Sequence, residues 1–465
     1  MSSRHLSRST VVCLSFFSFI AMITFFKFSP NGENLLSWTS ETFDLDLSFS
    51  LDALTPKPPL FDWEIDPDIT DHITYNEREI TKLRSCMAQG NCRRNQEKVV
   101  LAFAHTWPQA IIDGWRGGEG VWAMSMFRAM RELGYTVLIG MNGWEETLAH
   151  YRMFPDQVKV IIKSAWIDDC IKNPACIKSD INLTGIPRWK REFAMNFFPD
   201  EHTRFGLDYK WIIHADRHFK GQEETEKLQY IGYSFEEECK KRPFVPHKQR
   251  PMASWILAKQ ATLFHLSTVE TAFNKSYFEL ASQEPGLEDM SFRGAYQVNG
   301  EYMKNWIHDS PVQALNGVVN LGKIGPEEFG DEVANARMMI GVGNPALSPS
   351  PYLALCSGTP FLNPIKSWDL EHPDDRSKWV SQHNYLKWLD PPYVYNVPAH
   401  DYEGFVSAIK SAIHSPPTKR YIDPPMTLDG VRKRVERLVE TDWRAIAKEY
   451  MEERIAEGAT YTWTL

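Results

Sequence analysis

Residues 341–364, GVGNPALSPSPYLALCSGTPFLNP, read as the end of a strand, a tight turn, a helix start and a second strand in one short stretch. The apolar run 338–342 suits a buried parallel strand, and Gly343-Asn344-Pro345 breaks it with residues that tolerate tight turns. Pro349 and Pro351 preset φ for a helix start, where unpaired amides and the helix dipole favour an anion such as a diphosphate. Leu353-Ala354-Leu355 carry that helix to the stop signal Ser357-Gly358, after which Thr359-Pro360-Phe361-Leu362 resumes as a strand. Taken alone, the pattern fits a nucleotide site or an ordinary β-α-β turn.

Working outward, residues 318–324 read as a strand, and Gly325-Pro326-Glu327-Glu328 opens a helix to Ala336 with proline first and acids in its first turn. Upstream, MASWILA (252–258) is an apolar strand ending at Lys259, whose ammonium at a strand's carboxyl end would face a cleft and can pair with phosphate, or be a solvated surface lysine. The segment 240–251, KKRPFVPHKQRP, has linker composition and sets a domain boundary at 248/249. Downstream come SQHNYLKW (381–388), the strand YVYNVP (393–398), a helix over 401–413 and charged helices over 430–456.

The first half has the same grammar. VVLAFA (99–104) is a continuous apolar run of the kind buried in parallel sheets. A loop, HTWPQAIIDGWRGGEG (105–120), leads into an amphipathic helix with Ala123, Met126, Met130 and Leu133 on one face, ended by Gly134 before the strand 136–139. Strand, helix and strand joined this way form a right-handed unit of a doubly wound sheet. Glu119 follows two glycines at the helix start, past a strand's carboxyl end, where it is either a general base or a complement to the helix dipole. Residues 158–162 and 211–213 are further strands. His214, Asp216 and His218 alternate along one strand face but lack a fourth metal ligand, so no metal site is expected there.

A length of 465 residues allows two or three domains at about 100 to 200 residues each. A net charge of -9 and a pI near 5.9 argue against a chain-wide nucleic-acid footprint. Residues 11–26, VVCLSFFSFIAMITFF, follow Arg4, His5 and Arg8 and stop at Lys27, which reads as a signal anchor over 11–28 behind a cytosolic tail 1–10. A cleaved signal peptide is the alternative, although no small-x-small site follows the run. Either places the bulk of the chain in the secretory pathway. Asn182-Leu183-Thr184 and Asn274-Lys275-Ser276 are glycosylation triplets compatible with that placement.

Residues 29–97, acidic and rich in Pro, Ser and Asp without sustained periodicity, read as a stem. Asp44-Leu45-Asp46 and Asp66-Pro67-Asp68 lie in it, away from any core strand that would make Asp-x-Asp a metal site. In an oxidising lumen the spacing of Cys86 with Cys92, and of Cys170 with Cys176, suits two small disulfide loops. Cys239 and Cys356 pair or stay free.

Several of these stretches resemble one family, the α-1,6-mannosylglycoprotein 6-β-N-acetylglucosaminyltransferases (N-acetylglucosaminyltransferase V-like, glycosyltransferase family 18). Residues 341–364 share that family's Gly-x-Gly-x-Pro opening, second proline pair and Phe-Leu-Asn-Pro close. GPEEFGDEVANARMMIG (325–341), Ser381-Gln382-His383 with Tyr385, and 428–438 are also similar to it, and Gly118-Glu119 with Leu133-Gly134 falls in its register.

The resemblance implies an α/β GT-B fold: two Rossmann-like doubly wound domains facing across a cleft, behind a transmembrane anchor and stem. The acceptor domain would span 98–248, the nucleotide-sugar domain 249–415 and C-terminal helices 416–465. It further implies inverting transfer of GlcNAc from UDP-GlcNAc to a mannose 6-hydroxyl of an N-glycan, in a single-pass type II Golgi membrane protein with its catalytic part in the lumen. Glu119 would be the catalytic base. Lys259, Gly343, Asn344, Ser348, Pro349 and Ser350 would hold the donor, with no metal or other cofactor and no nucleic-acid partner. Two glutamates of the family's donor stretch are replaced here by Leu347 and Leu353, which cannot accept hydrogen bonds from a sugar or ribose hydroxyl. That leaves open another donor or acceptor, or a catalytically silent lumenal glycan-binding protein.

Overall fold

Continuous apolar runs without polar alternation become strands buried on both faces, and two parallel sheets result. In the computed structural model, which describes residues 66, 68–141, 143–164, 170–171, 173–191, 193–197, 209–216, 228–264, 271–298, 317–460 and 463–465, the first sheet contains β1 (Val99–Phe103), β2 (Thr136–Gly140), β3 (Val158–Ser164), β4 (Phe193–Met195), β5 (Ile212–His214) and β6 (Gln229–Tyr230). Its order is β2-β1-β3-β4-β5-β6 and every pairing is parallel. The second sheet contains β7 (Ala253–Leu257), β8 (Ser291–Gly294), β9 (Val318–Asn320), β10 (Met339–Gly341), β11 (Phe361–Ser367), β12 (Val380–Ser381) and β13 (Val394–Pro398). Its parallel path runs β9-β8-β7-β10-β11-β13, with short β12 antiparallel to the end of β11. Counted in chain order without β12, that path has the doubly wound Rossmann order, whose reversal point lies between β7 and β10.

The helices used below are α1 (His72–Gln89), α2 (Thr106–Ile111), α3 (Gly118–Glu132), α4 (Trp144–Met153), α5 (Glu236–Lys241), α6 (Lys275–Ala281), α7 (Pro326–Asn335), α8 (Ser350–Cys356), α9 (Tyr402–His414), α10 (Leu428–Glu440) and α11 (Trp443–Ala456). Several have a legible start. Asp71, Asn274, Asp401, Thr427 and Asp442 cap α1, α6, α9, α10 and α11 through side-chain oxygens, and Pro326 opens α7.

The expected stem, 29–97, is corrected from His72 onward: α1 belongs to the globular body. Its buried face is Tyr75, Asn76, Glu79, Leu83 and Cys86. Polar Asn76 and Glu79 dilute the apolar period, which hides the helix from a hydrophobicity reading. Both polar groups are used. Asn76 Nδ2 donates to Ile139 O at 2.7 Å, and its Oδ1 accepts from Ile139 N at 2.9 Å, so one carboxamide stands in for a neighbouring strand along edge strand β2. Tyr75 Oη donates to Val137 O at 3.0 Å on the same strand, and Glu79 accepts from Arg131 of α3 at 2.7 Å. The Asp66 carboxylate pairs with Arg78 at 2.6 Å and accepts from Asp68 N at 3.1 Å.

The two sheets share one apolar core. A single cluster of buried side chains runs from Ala102 and Trp122 through Tyr233 and Phe235 to Leu353, Met339 and Phe361. After the second sheet the chain returns to the first. α10 packs along α3, Arg434 Nε donates to Ile231 O at 2.7 Å with its guanidinium 4.4 Å over the Tyr230 ring, and Lys98 pairs with Glu440 at 2.7 Å. Trp443 of α11 packs edge-on to Phe193, with ring centroids 4.8 Å apart.

Among the described residues three disulfides are present: Cys86–Cys92, Cys170–Cys176 and Cys239–Cys356, the last joining α5 to α8. Asn274 is exposed at its cap position. Asn182 instead turns its amide nitrogen inward, donating to Pro174 O at 2.9 Å and Ala175 O at 3.0 Å. Among the described residues no helix is long and apolar enough to cross a membrane, and the anchor expected at 11–28 lies outside them.

Arg128 of α3 and Glu237 of α5 form a buried ion pair, both side chains less than a tenth exposed. Burial lowers the Arg128 pKa and the neighbouring Glu237 opposes that shift. Breaking such a pair strands a charge without water, whereas replacing both partners removes the problem. Arg128→Met should therefore lose about 3–5 kcal/mol of unfolding free energy in urea titrations, and Arg128→Met with Glu237→Leu should lose clearly less than that single change.

Candidate active site

In open α/β sheets, ligands bind outside the carboxyl ends of the strands where strand order reverses. In the second sheet that point is fixed by register, since Leu257 of β7 lies opposite Gly341 of β10. Lys259 and Gly343 each follow two residues later, past the last paired residues of β7 and β10. Lys259 is exposed, and its carbonyl accepts from Gln297 N at 3.0 Å.

The turn after β10 is held by a side chain outside the candidate set. Gln382 Oε1 accepts from Gly343 N at 2.9 Å, its Nε2 donates to Pro345 O at 3.1 Å, and its carbonyl accepts from Leu347 N at 3.3 Å. Gly341 is required beneath it. A Cβ there would run into Gln382 Oε1 and lie 2.7 Å from Pro364 Cδ. Gly343 takes φ 109°, a region glycine enters freely, and the Asn344–Pro345 peptide is cis. Beyond it, Ser348 Oγ and Ser350 Oγ lie 3.2 Å apart at the start of α8.

Neighbouring amides fix the Gln382 segment in turn. Asn363 of β11 accepts from His383 N at 3.0 Å and donates to Asn396 Oδ1 of β13 at 3.0 Å, while Asn396 donates to Lys387 O at 3.1 Å. The His383 ring is wholly buried, edge-on to Tyr352 at 5.0 Å and 4.0 Å from Asp216 Oδ2 at the end of β5. Burial pulls its pKa down to about 3, partly opposed by the Ser348 main chain. That shift favours the neutral imidazole.

The first sheet meets this turn through α3. A Cβ on Gly118 would lie 3.4 Å from Pro349 Cδ and 3.6 Å from Phe197 Cζ. The first turn of α3, with exposed Glu119, thus abuts the entry to α8, with Pro349 and Ser350. Gly118 and Pro349, over two hundred residues apart in the chain, are thus neighbours in space.

The remaining polar candidates read from the sequence do not form a metal triad. His214 is buried in β5, its Nδ1 is 3.2 Å from Asn196 O, and burial lowers its pKa to about 4; Asp216 faces His383, and His218 lies outside the described residues. Among the described residues no three His, Cys, Asp or Glu side chains are grouped to hold a metal. Leu347 and Leu353 are core residues, 2% and 6% exposed, and Leu347 takes the left-handed φ 54°. A carboxylate at either depth would need a hydrogen-bonding partner, and leucine needs none. Gln382 is visible within Ser-Gln-His, but its role depends on contacts distant in sequence.

Residues 303–452 match the model of glycosyltransferase family 18. The search of curated proteins returns no match. Among solved structures the chain is similar to a Thermobaculum terrenum O-GlcNAc transferase mutant, at 10% identity over 86% of this chain and 74% of that one with a TM-score of 0.37. It is also similar to Anabaena Alr3699/HepE in complex with UDP-glucose, at 10% identity over 77% and 99% with a TM-score of 0.36. A T4 phage β-glucosyltransferase gives 10% identity over 77% and 98% with a TM-score of 0.35. Structural likenesses this distant carry no argument about chemistry; the family match supports a glycosyltransferase.

Gln382→Leu should leave the Gly343 N–H and Pro345 C=O without their side-chain partner, at about 1–3 kcal/mol for each buried group. Hydrogen exchange should speed up at the Gly343 amide ahead of strand β11, and unchanged exchange there would remove Gln382 from its holding role.

Proposed function

We propose that this chain, matched to glycosyltransferase family 18 over residues 303–452, is an inverting GT-B glycosyltransferase that moves GlcNAc from UDP-GlcNAc to the 6-hydroxyl of a mannose on N-glycans. The abutment of Gly118 against Pro349 carries the reading, because it brings the one candidate base to the candidate donor turn. Glu119 takes the hydroxyl proton as the acceptor oxygen attacks the anomeric carbon from the face opposite UDP. The C–O bond to the diphosphate breaks as the new one forms. Lys259, the main chain of Gly343 and Asn344, and Ser348, Pro349 and Ser350 at the α8 entry stabilise the departing diphosphate without a metal. The proposed setting is the Golgi membrane, in single-pass type II orientation, with the body in an oxidising lumen suited to its disulfides.

A second reading, the same chemistry with another donor or acceptor, is favoured by the buried Leu347 and Leu353 where the family has glutamates. UDP release measured over a panel of donors with a mannose-terminated N-glycan separates the two, and UDP-GlcNAc is expected to be used best.

Glu119→Gln should lower the transfer rate by about 10²–10⁴-fold, the range for a positioned general base. A near-normal rate in Glu119→Ala would overturn the mechanism. Turnover should persist in chelator, and its loss there would count against metal-free stabilisation. No transfer from any donor would favour a silent glycan-binding protein.

A further inference from the structure

Trp115 stands apart from the tryptophans around it. Trp107, Trp122 and Trp211 are buried in the core, whereas Trp115 keeps 40% of its surface exposed, four residues before Glu119. It is not a loose loop side chain. Its main-chain N–H donates to Gln109 O at 2.8 Å, and next to it Arg116 Nη1 donates to Ala110 O at 2.8 Å, which ties the loop to the end of α2. A Cβ on Gly117 would overlap the indole, with Cη2 2.9 Å away, and a Cβ on Gly120 would lie 2.8 Å from Cε3. The ring therefore rests on bare backbone to either side of Glu119. Neither glycine needs a positive φ, so close approach of Trp115 is what excludes a side chain at both, through the indole at Gly117 and through its carbonyl oxygen at 2.6 Å as well as the indole at Gly120.

A rigid indole with one side against a helix start and another toward solvent presents apolar area at little entropic cost. The C–H face of a pyranose ring is a fitting partner, being apolar on its face and hydroxylated at its rim. Pro349 and Phe197 lie against Gly118, the residue between Gly117 and Glu119, so a sugar on Trp115 would lie close to Glu119 and to the entry of α8. We infer that Trp115 is the floor of the acceptor subsite, stacking a terminal hexopyranose of the glycan so that a rim hydroxyl meets Glu119. This rests on the reading of Glu119 as base.

The test uses the purified full chain labelled with 5-fluorotryptophan, the Trp115 ¹⁹F resonance being assigned by its loss in Trp115→Phe. Titration with a mannose-terminated N-glycan oligosaccharide, without donor, should shift that resonance saturably. In steady-state assays Trp115→Ala should raise the acceptor KM by about tenfold, the scale of a lost aromatic contact, and leave the donor KM unchanged. Trp115→Phe should recover part of the loss. Gly117→Ala, which displaces the ring and keeps it, should also raise the acceptor KM. An unmoved Trp115 resonance at saturating glycan, or an unchanged acceptor KM in Trp115→Ala, would overturn the inference. The two readings fail separately. If Glu119→Ala turns over normally while glycan still shifts the Trp115 resonance, the base is wrong and the stacking floor stands. If Glu119→Gln is slow and the resonance does not respond, the floor is wrong and the base stands.

Discussion

One side-chain amide holds the site together. Gln382 meets the Gly343 N–H and the Pro345 carbonyl with its two ends, and so gives the turn after β10 a fixed shape. Because Gln382 and its neighbours Asn363 and Asn396 are buried or nearly so, each hydrogen bond excludes alternatives that would leave a polar group unpaired. The glycine at 341 is the steric counterpart of that bond. A side chain there and the Gln382 amide oxygen cannot occupy the same space.

The contact between Gly118 and Pro349 is set by packing that neither sheet supplies alone. The shared apolar core, the buried Arg128–Glu237 pair and the Cys239–Cys356 bridge all lie on the path from α3 through α5 to α8. The returning helices α10 and α11 add a second connection through Tyr230, Glu440 and Trp443. Leu347 and Leu353 belong to that shared core, so apolar packing rather than a polar pocket surrounds both positions.

Strands are legible where burial is two-sided. The run 99–104 is β1 almost to the residue, and 252–258 brackets β7, because an interior strand of a parallel sheet has no polar face to confuse it. Residues 318–324 yield only the three-residue β9, an edge strand whose side chains are largely exposed and whose later residues form no ladder. Helix α1 is hidden for the opposite reason, since Asn76 and Glu79 are polar yet buried. Hydrophobicity cannot report a side chain that is buried in order to make a hydrogen bond.

The sequence by itself determined the two β/α halves, the turn at 343–345, the helix starts at Pro326 and Pro349, and Glu119 as a carboxylate past a strand's end, because each depends on residues close in the chain. Only the tertiary structure decided that Gly118, next to Glu119, lies against Pro349 at the α8 entry, that Gln382 holds the turn after β10, that Trp115 stays exposed near Glu119 and that Leu347 and Leu353 are core. Those facts depend on contacts between segments tens to hundreds of residues apart, and local propensity carries no record of which distant surface a residue will meet.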